Sequence, residues 1–315
     1  MFEPKSAADA TLYDCLIIGG GPAGLTAATY LARFHRKVLV VDSGDSRARW
    51  IPLTHNCPGF PDGVTGPNLL RRLKEQAVQY GAEMMSGFVQ SLKTGDDGTF
   101  TIDTPMPVRA RTVLIATGIV DTLPAVADAE AAMQAGRLRL CPICDGYEAS
   151  DDRIGIMGAG IDVLRKALFM RSFSPRVTML LTGSSEDLPL EAREMAAQAD
   201  IPIVECDQHA IHIAPEEASA HLPDGQKLIF DTIYPAMGCS IRSDLATALG
   251  ADCDDTSSLL VDNHQRTSVA GLYAAGDVVH EVNQLAVAFG HAAIAASHIH
   301  NSLADQDGER WQFAS

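Results

Sequence analysis

Tyr13-Asp14-Cys15-Leu16-Ile17-Ile18-Gly19-Gly20-Gly21-Pro22-Ala23-Gly24 decides the fold. The run from Tyr13 to Ile18 is apolar and short, as a buried parallel strand is. It enters a G-x-G-x-x-G loop, and Leu25 to Phe34 continues as a helix. Strand, glycine loop and helix in that order form the dinucleotide-binding pattern. Gly19 makes the tight turn. Gly21 lets a pyrophosphate come close to the backbone at the helix N-terminus, and Gly24 lets the helix pack against the strand. A lone glycine fingerprint is a weak signal. Here the next strand, Lys37 to Val41, ends on Asp42, where an acid can hold a ribose hydroxyl.

Further along, Cys141-Pro142-Ile143-Cys144-Asp145 holds two cysteines two residues apart. Such a pair closes a small disulfide ring or opens to two thiols. A helix starting at Pro142 aims backbone N–H groups at sulfur and lowers a thiol pKa. Asp145 can carry the proton that thiol chemistry gains or loses. Half of a zinc site is the competing reading. A structural zinc needs four ligands and there is no second C-x-x-C, so no metal is expected. Cys206-x-x-His209-x-x-His212 is no better. Residues 210–214 alternate like a strand, which puts the two histidines on opposite faces.

A second strand and glycine loop, Ile154 to Val163, follows the cysteines. Its pattern is weaker, because Val163 stands where a small residue would let the helix pack on a pyrophosphate. The strand after it, Arg176 to Leu181, leads into Thr182-Gly183-Ser184-Ser185. No basic residue occurs between Arg176 and Arg193, and a dianionic phosphate without a cation partner binds poorly.

The chain has 315 residues, enough for two domains, and its 46% hydrophobic and 20% charged content is that of a globular protein. A net charge of −16 argues against nucleic acid and anionic membrane as partners, since both need basic patches. The seven cysteines are mostly scattered, which suits a reducing compartment, and the cytoplasm is the expected location. No signal pattern or membrane span is read.

The first glycine loop, the segment Thr54-His55-Asn56-Cys57-Pro58-Gly59-Phe60-Pro61 and the C-P-I-C-D stretch together resemble the low-molecular-weight thioredoxin reductases. These are FAD flavoproteins among the class II pyridine nucleotide-disulfide oxidoreductases. The strand Val113 to Ala116 with Thr117-Gly118, and Tyr273-Ala274-Ala275-Gly276-Asp277, resemble two further flavin-side segments. The resemblance implies an α/β protein of two Rossmann-like three-layer domains. The FAD domain would be discontinuous, residues 1–120 and 243–315, with residues 121–242 inserted as an NAD(P)H-like domain carrying the cysteines. It implies Gly19, Gly21, Pro22, Ala23, Gly24, Asp42, Asn56, Thr117, Gly118, Gly276, Asp277 and Gln284 as FAD-binding residues. Asn56 would lie against the isoalloxazine, and Gln284 at its pyrimidine edge. Cys144 would lie nearer the flavin, Cys141 would meet the partner and Asp145 would manage the proton.

A homodimer and a thioredoxin-like partner are further implications of the resemblance. Where the family has a His-Arg-Arg triplet for the 2′-phosphate of NADPH this chain has none, so use of NADPH or NADH stays open, and loss of nicotinamide binding is favoured. A dithiol oxidase that closes disulfides in a small molecule with oxygen as acceptor is an alternative, as are a conventional NAD(P)H-dependent reductase and a flavin-binding sensor without turnover. Cys57 reads as a buried thiol and His291 as a core histidine. The tail with Trp311 and Phe313 reads as a fraying end.

Overall fold

A computed structural model describes residues 11–102, 108–280 and 282–308 of the chain. The leader and the tail with Trp311 and Phe313 lie outside the described residues. The chain opens with β1 (Thr11–Ile18), α1 (Pro22–Arg33), β2 (Val38–Asp42), α2 (Gly66–Gln79) and β3 (Glu83–Ser86). Then come β4 (Leu92–Thr94), β5 (Phe100–Ile102), β6 (Val108–Ile115) and β7 (Ile119–Asp121). After α3 (Ala129–Gln134) and α4 (Pro142–Asp145) the chain runs β8 (Ile154–Gly158), α5 (Ile161–Met170), β9 (Val177–Leu181), α6 (Leu190–Gln198) and β10 (Ile203–Glu205). It continues with β11 (Ile211–Ile213), β12 (Ala218–His221), β13 (Lys227–Phe230), β14 (Thr232–Ala236) and β15 (Cys239–Ile241). It closes with α7 (Asp244–Thr247), β16 (Leu272–Ala274) and α8 (Leu285–Asp307).

These elements form two compact units. One holds the residues up to Arg49, Gly66–Val120 and the residues from Ile241 onward. The other holds Trp50–Thr65 and Asp121–Ser240. The sequence reading placed 50–65 in the first domain and the return to it at 243. The loop groups with the second unit because its polar side chains bond there, as described below.

The first unit is built on a sheet of order β3-β2-β1-β6-β5-β4. β1, β2, β3 and β6 run parallel, and β16 joins the C-terminal half of β6, pairing Leu272 to Ala274 with Val113 to Ile115. β5 takes the N-terminal half of β6 antiparallel. Alternation along β1 sends side chains to two cores. Cys15 and Ile17 meet Ala27, Leu31 and the alanine stripe Ala292, Ala295 and Ala296 of α8. Leu16 and Ile18 meet Phe100, Ile115 and Val278 on the other face. In α8, small residues let a long helix lie close to its neighbour. Helices on one face and irregular chain on the other leave the strand C-termini at one rim, where such folds bind ligands.

The second unit has a parallel sheet of order β10-β9-β8-β14 and an antiparallel sheet of order β11-β12-β13. Helices α5 and α6 cover one face of the parallel sheet through Val163, Leu164, Ala167 and Ala192. The antiparallel sheet covers the other through Ile211, Ile213, Ala218 and Phe230. Both units are thus three-layered α/β. Residues 227–233 are divided between β13 and β14. The chain turns at Asp231, whose carboxylate binds the Arg153 backbone N–H at 2.8 Å and the Arg153 guanidinium at 2.7 Å, and β14 leaves for the other sheet. Leu259 makes isolated bridges to Cys253 and Val279.

Where the chain leaves the first unit and returns to it, β7 and β15 pair with each other. Flanking bonds run from Thr122 N–H to Gly238 O and from Arg242 N–H to Gly118 O, both 3.0 Å.

Hydrogen bonding to Arg153 holds the Asp231 carboxyl down at about 2. A depressed carboxyl stabilises the fold above its unfolded pKa, and that contribution is lost as pH falls through about 2. The partly exposed pair is screened by solvent, so Asp231→Asn should cost about 1 kcal/mol at pH 7. Urea unfolding of the two proteins should converge as pH falls from about 4 towards 2.

At Gly24 an added Cβ would lie 1.9 Å from the Gly19 carbonyl oxygen, so Gly24→Ala forces α1 away from β1. The expected loss is about 2 kcal/mol or more, read by the same unfolding assay.

Candidate functional site

The redox residues form inside the second unit. Cys141 and Cys144 are joined as a disulfide, with Cα atoms 5.3 Å apart. Pro142 starts the short helix α4 with its φ already set, and Cys141 is its cap: Cys141 Sγ accepts the Cys144 N–H at 3.2 Å. A thiolate formed at Cys141 would keep that donor. Ile143, between the sulfurs, and Tyr147 are exposed.

Asp145 follows the second cysteine and faces inward. Tyr234 Oη donates to its Oδ1 at 2.8 Å, and Arg139 Nη1 lies 3.3 Å from its Oδ2. Burial pushes the Asp145 carboxyl up from the ordinary carboxylate range, while Arg139 and Tyr234 work in the opposite direction. Burial and the neighbouring carboxyl push the Tyr234 hydroxyl up strongly, so it stays a donor. Neither Arg139 nor Tyr234 was singled out from sequence. Arg139 stands two residues before Cys141, and Tyr234 is an isolated aromatic 89 positions from its partner.

The loop carrying Asn56 closes on itself through Thr54 and Val64, whose backbones exchange two 3.0 Å bonds. Asn56 Nδ2 donates to the Ile143 carbonyl at 3.3 Å, and His55 Nδ1 lies 2.9 Å from Glu148 Oε1. Asn56 therefore touches the turn between the cysteines. Cys57 is buried within the same loop, and burial raises its pKa.

The first glycine loop lies in the other unit. Gly19 has φ +113° and its Cβ would meet the Ala116 carbonyl oxygen at 2.3 Å. Beside Gly21 an added Cβ would meet only Ser46 Oγ, at 3.2 Å. The N-terminus of α1 has no side-chain cap and no acid in its first turn, so its N–H groups and positive dipole end suit a pyrophosphate. Asp42 Oδ1 accepts the N–H groups of Gly20 and Gly44, both at 3.1 Å. Gly276, at φ +79°, is so close to Ala23 that a Cβ would lie 2.9 Å from it, which puts the Gly276-Asp277 turn against the first turn of α1. Asp277 pairs with Arg47 at 3.5 Å, a partner that sequence reasoning missed. Thr117 donates its hydroxyl to the Arg242 carbonyl at 2.5 Å, next to Gly118 at φ +66°. Gln284 stands just before the first turn of α8, and its side chain donates to the Asn283 carbonyl. These residues fit a dinucleotide. The structure thus gathers Gly19 to Gly24, Asp42, Gly276 and Asp277 at one rim. Asn56 lies in the other unit, and His291 is part-buried in α8.

The second glycine loop differs in detail. Gly158 has φ +153°, and its Cβ would lie 2.5 Å from the Ala236 carbonyl oxygen. Val163, wholly buried, occupies the position matching Gly24. A branched side chain fits at 163 where not even a methyl fits at 24. After β9, Glu205 Oε1 accepts the Ser185 N–H at 2.7 Å, and this bond lowers the Glu205 pKa. Asp162 pairs with Arg165 at 3.0 Å in the first turns of α5. His209 sits in a 3₁₀ turn and His212 is exposed on β11. Among the described residues no group of three or more His, Cys, Asp or Glu is placed to hold a metal. No described helix is long and apolar enough to cross a membrane.

Comparison with known proteins defines the class: a flavin-dependent disulfide oxidoreductase of the thioredoxin reductase type, with FAD as its cofactor. The chain belongs to the pyridine nucleotide-disulphide oxidoreductase family, whose pattern matches residues 13–292. It is 31% identical over 312 residues to a thioredoxin reductase of Streptomyces clavuligerus, covering 93% of this chain and 95% of that protein. The crystal structure of thioredoxin reductase from Streptococcus pyogenes superposes with a TM-score of 0.84 at 26% identity, covering 93% of this chain and 99% of the other. The structure of HlmI gives 0.85 at 28%, covering 94% of each.

The exposure of the cysteines orders their reactivity. Cys239 and Cys253 are exposed, whereas Cys15, Cys57 and Cys206 are buried. A maleimide should label two cysteines of the oxidised native protein quickly, two more after mild reduction, and the last three only in denaturant. Intact-mass measurement reads each stage.

Proposed function

We propose that this chain is a thiol–disulfide oxidoreductase that passes electron pairs between the Cys141–Cys144 couple and a partner disulfide or dithiol, a thioredoxin-like protein being the partner. The observation that carries this reading is the disulfide itself, capped by the N–H of Cys144 and followed by a partly buried carboxyl. Cys141 attacks or receives the partner sulfur through a mixed disulfide, and Cys144 resolves it. Asp145 takes or gives the proton.

Gly19, Gly21, Pro22, Ala23 and Gly24 would hold the FAD pyrophosphate at the N-terminus of α1, with Asp42 at the ribose. Asp277 would meet the phosphate-side hydroxyls, and Thr117, Gly118, Gln284 and Asn56 would serve the rest of the cofactor. When bound, FAD supplies two-electron exchange with a vicinal sulfur pair.

NADPH is not gripped through its 2′-phosphate in this reading. The backbone N–H that follows β9 at Ser185 is already taken by the Glu205 carboxylate, and no Arg or Lys occurs from 177 to 192. A dianionic phosphate would meet an acid there in place of a cation. That observation also favours a second reading, in which the protein oxidises a small dithiol and oxygen takes the electrons.

Anaerobic stopped-flow mixing with NADPH or NADH should leave the flavin absorbance unchanged on the millisecond scale at micromolar cofactor; rapid bleaching would overturn the donor reading. Cys141→Ser should lower exchange with a thioredoxin-like partner by at least about a hundredfold, since no mixed disulfide can form. Oxygen uptake with small dithiols separates the second reading from the first.

A further inference from the structure

We propose that Arg139 and Tyr234 are positioning residues for Asp145. Together they hold its carboxylate, on the residue next to Cys144, in one orientation and keep it able to take the Cys141 proton. The inference deepens the thiol–disulfide reading and rests on it.

Both arms of this clamp hang from one stretch of backbone. Leu138 makes a parallel bridge to Ile233, and the Arg139 N–H donates to the Ile233 carbonyl at 3.0 Å. Tyr234 is the next residue of β14, the end strand of the parallel sheet, where it pairs with Ile156 of β8 and is wholly buried. The register that fixes Arg139 therefore fixes Tyr234, and neither can shift without opening the sheet. They grip the two carboxylate oxygens separately, Tyr234 at Oδ1 and Arg139 at Oδ2. Both also donate to the Asp145 main-chain carbonyl, at 3.3 and 3.5 Å. The Asp145 N–H is bonded to the Cys141 carbonyl at 3.2 Å, so the gripped residue is tied to the cysteine turn.

The charges are unequal to a passive role. Arg139 Nε is buried and makes no hydrogen bond, so this guanidinium sits in a costly place with Asp145 as its ion-pair partner. Burial favours the neutral acid, whereas the guanidinium and the phenol favour the carboxylate. Glu148 is the other charged group facing Asp145. It opposes the carboxylate, and its own carboxylate is bonded to His55. Without the clamp, burial and Glu148 would push the Asp145 carboxyl further towards its neutral form.

In the step served, the Asp145 carboxylate takes the Cys141 thiol proton and Cys141 Sγ attacks one sulfur of the partner disulfide. A new S–S bond forms and the partner S–S bond breaks. The departing sulfur leaves with the electron pair and picks up a proton. The Cys144 sulfur, losing its proton to solvent, then displaces the partner from Cys141. The Cys141–Cys144 bond reforms and the partner is reduced by two electrons.

The test is reaction of the reduced holoenzyme with 2-hydroxyethyl disulfide from pH 4 to 9, quenched by alkylation and read as the mass of the Cys141 peptide. Wild type should show an acid limb, and Asp145→Asn should lose it. Tyr234→Phe and Arg139→Met each remove a contact that favours the carboxylate, so the limb should move to higher pH by about one unit, a tenfold lower rate on its acid side. Arg139→Lys should restore most of the wild-type position. A limb that stays in place in either variant, with rates lowered evenly at all pH, reports lost packing and overturns the proposal. Wild-type protein that does not exchange at all would sink the thiol–disulfide reading, and the clamp with it. A wild type that exchanges beside variants with an unmoved limb sinks the clamp alone.

Discussion

The first turn of α1 rests on the carbonyl oxygen of Gly19, with no room for a methyl group at Gly24. This contact fixes the helix at the end of its strand and aims its unpaired N–H groups at one rim of the sheet. The other rim features are set from it. Gly276 abuts Ala23 of the same turn, and the stripe of alanines in α8 packs against the far side of α1. In the second unit the matching position carries Val163, and the acid Glu205 reaches the loop after β9. Two loops with nearly the same glycine spacing are therefore unlike in what they can receive. The first is shaped by close approach of backbone to backbone, the second by side chains that fill and charge the equivalent space.

The redox turn depends on a different kind of constraint. A four-residue helix is too short to be stable alone, so its geometry comes from what it is bonded to. The disulfide, the Cys141 cap and the Asp145 anchor to Tyr234 and Arg139 hold it from three sides. Most of that scaffold is the central sheet of the unit, which gives a small chemical element the rigidity of a large one. The loop of Asn56 adds a fourth hold through the Ile143 carbonyl.

Much of this was legible in the sequence, and the reason is range. The strand, loop and helix from Tyr13 to Phe34 and the start of α4 at Pro142 are decided within a dozen residues, by apolar runs, glycine and proline. Interactions across many residues were not legible. The tie between Tyr234 and Asp145 has no local signal, nor has the bond from Ser185 to Glu205. Asn56 was assigned by likeness alone, and the sequence gives no hint that its loop bonds to the cysteine turn. The break between β13 and β14 at Asp231 is likewise made with an arginine 78 positions earlier.

The paired ribbon of β7 and β15 has an architectural consequence. The chain goes out and comes back through adjacent positions, with Thr122 N–H bonded to the Gly238 carbonyl. Removing everything between them would leave two ends within a short turn of each other, and the strands of the first sheet would keep their neighbours. The inserted segment is in this sense a cassette. It can be exchanged or lengthened without asking the host sheet to refold.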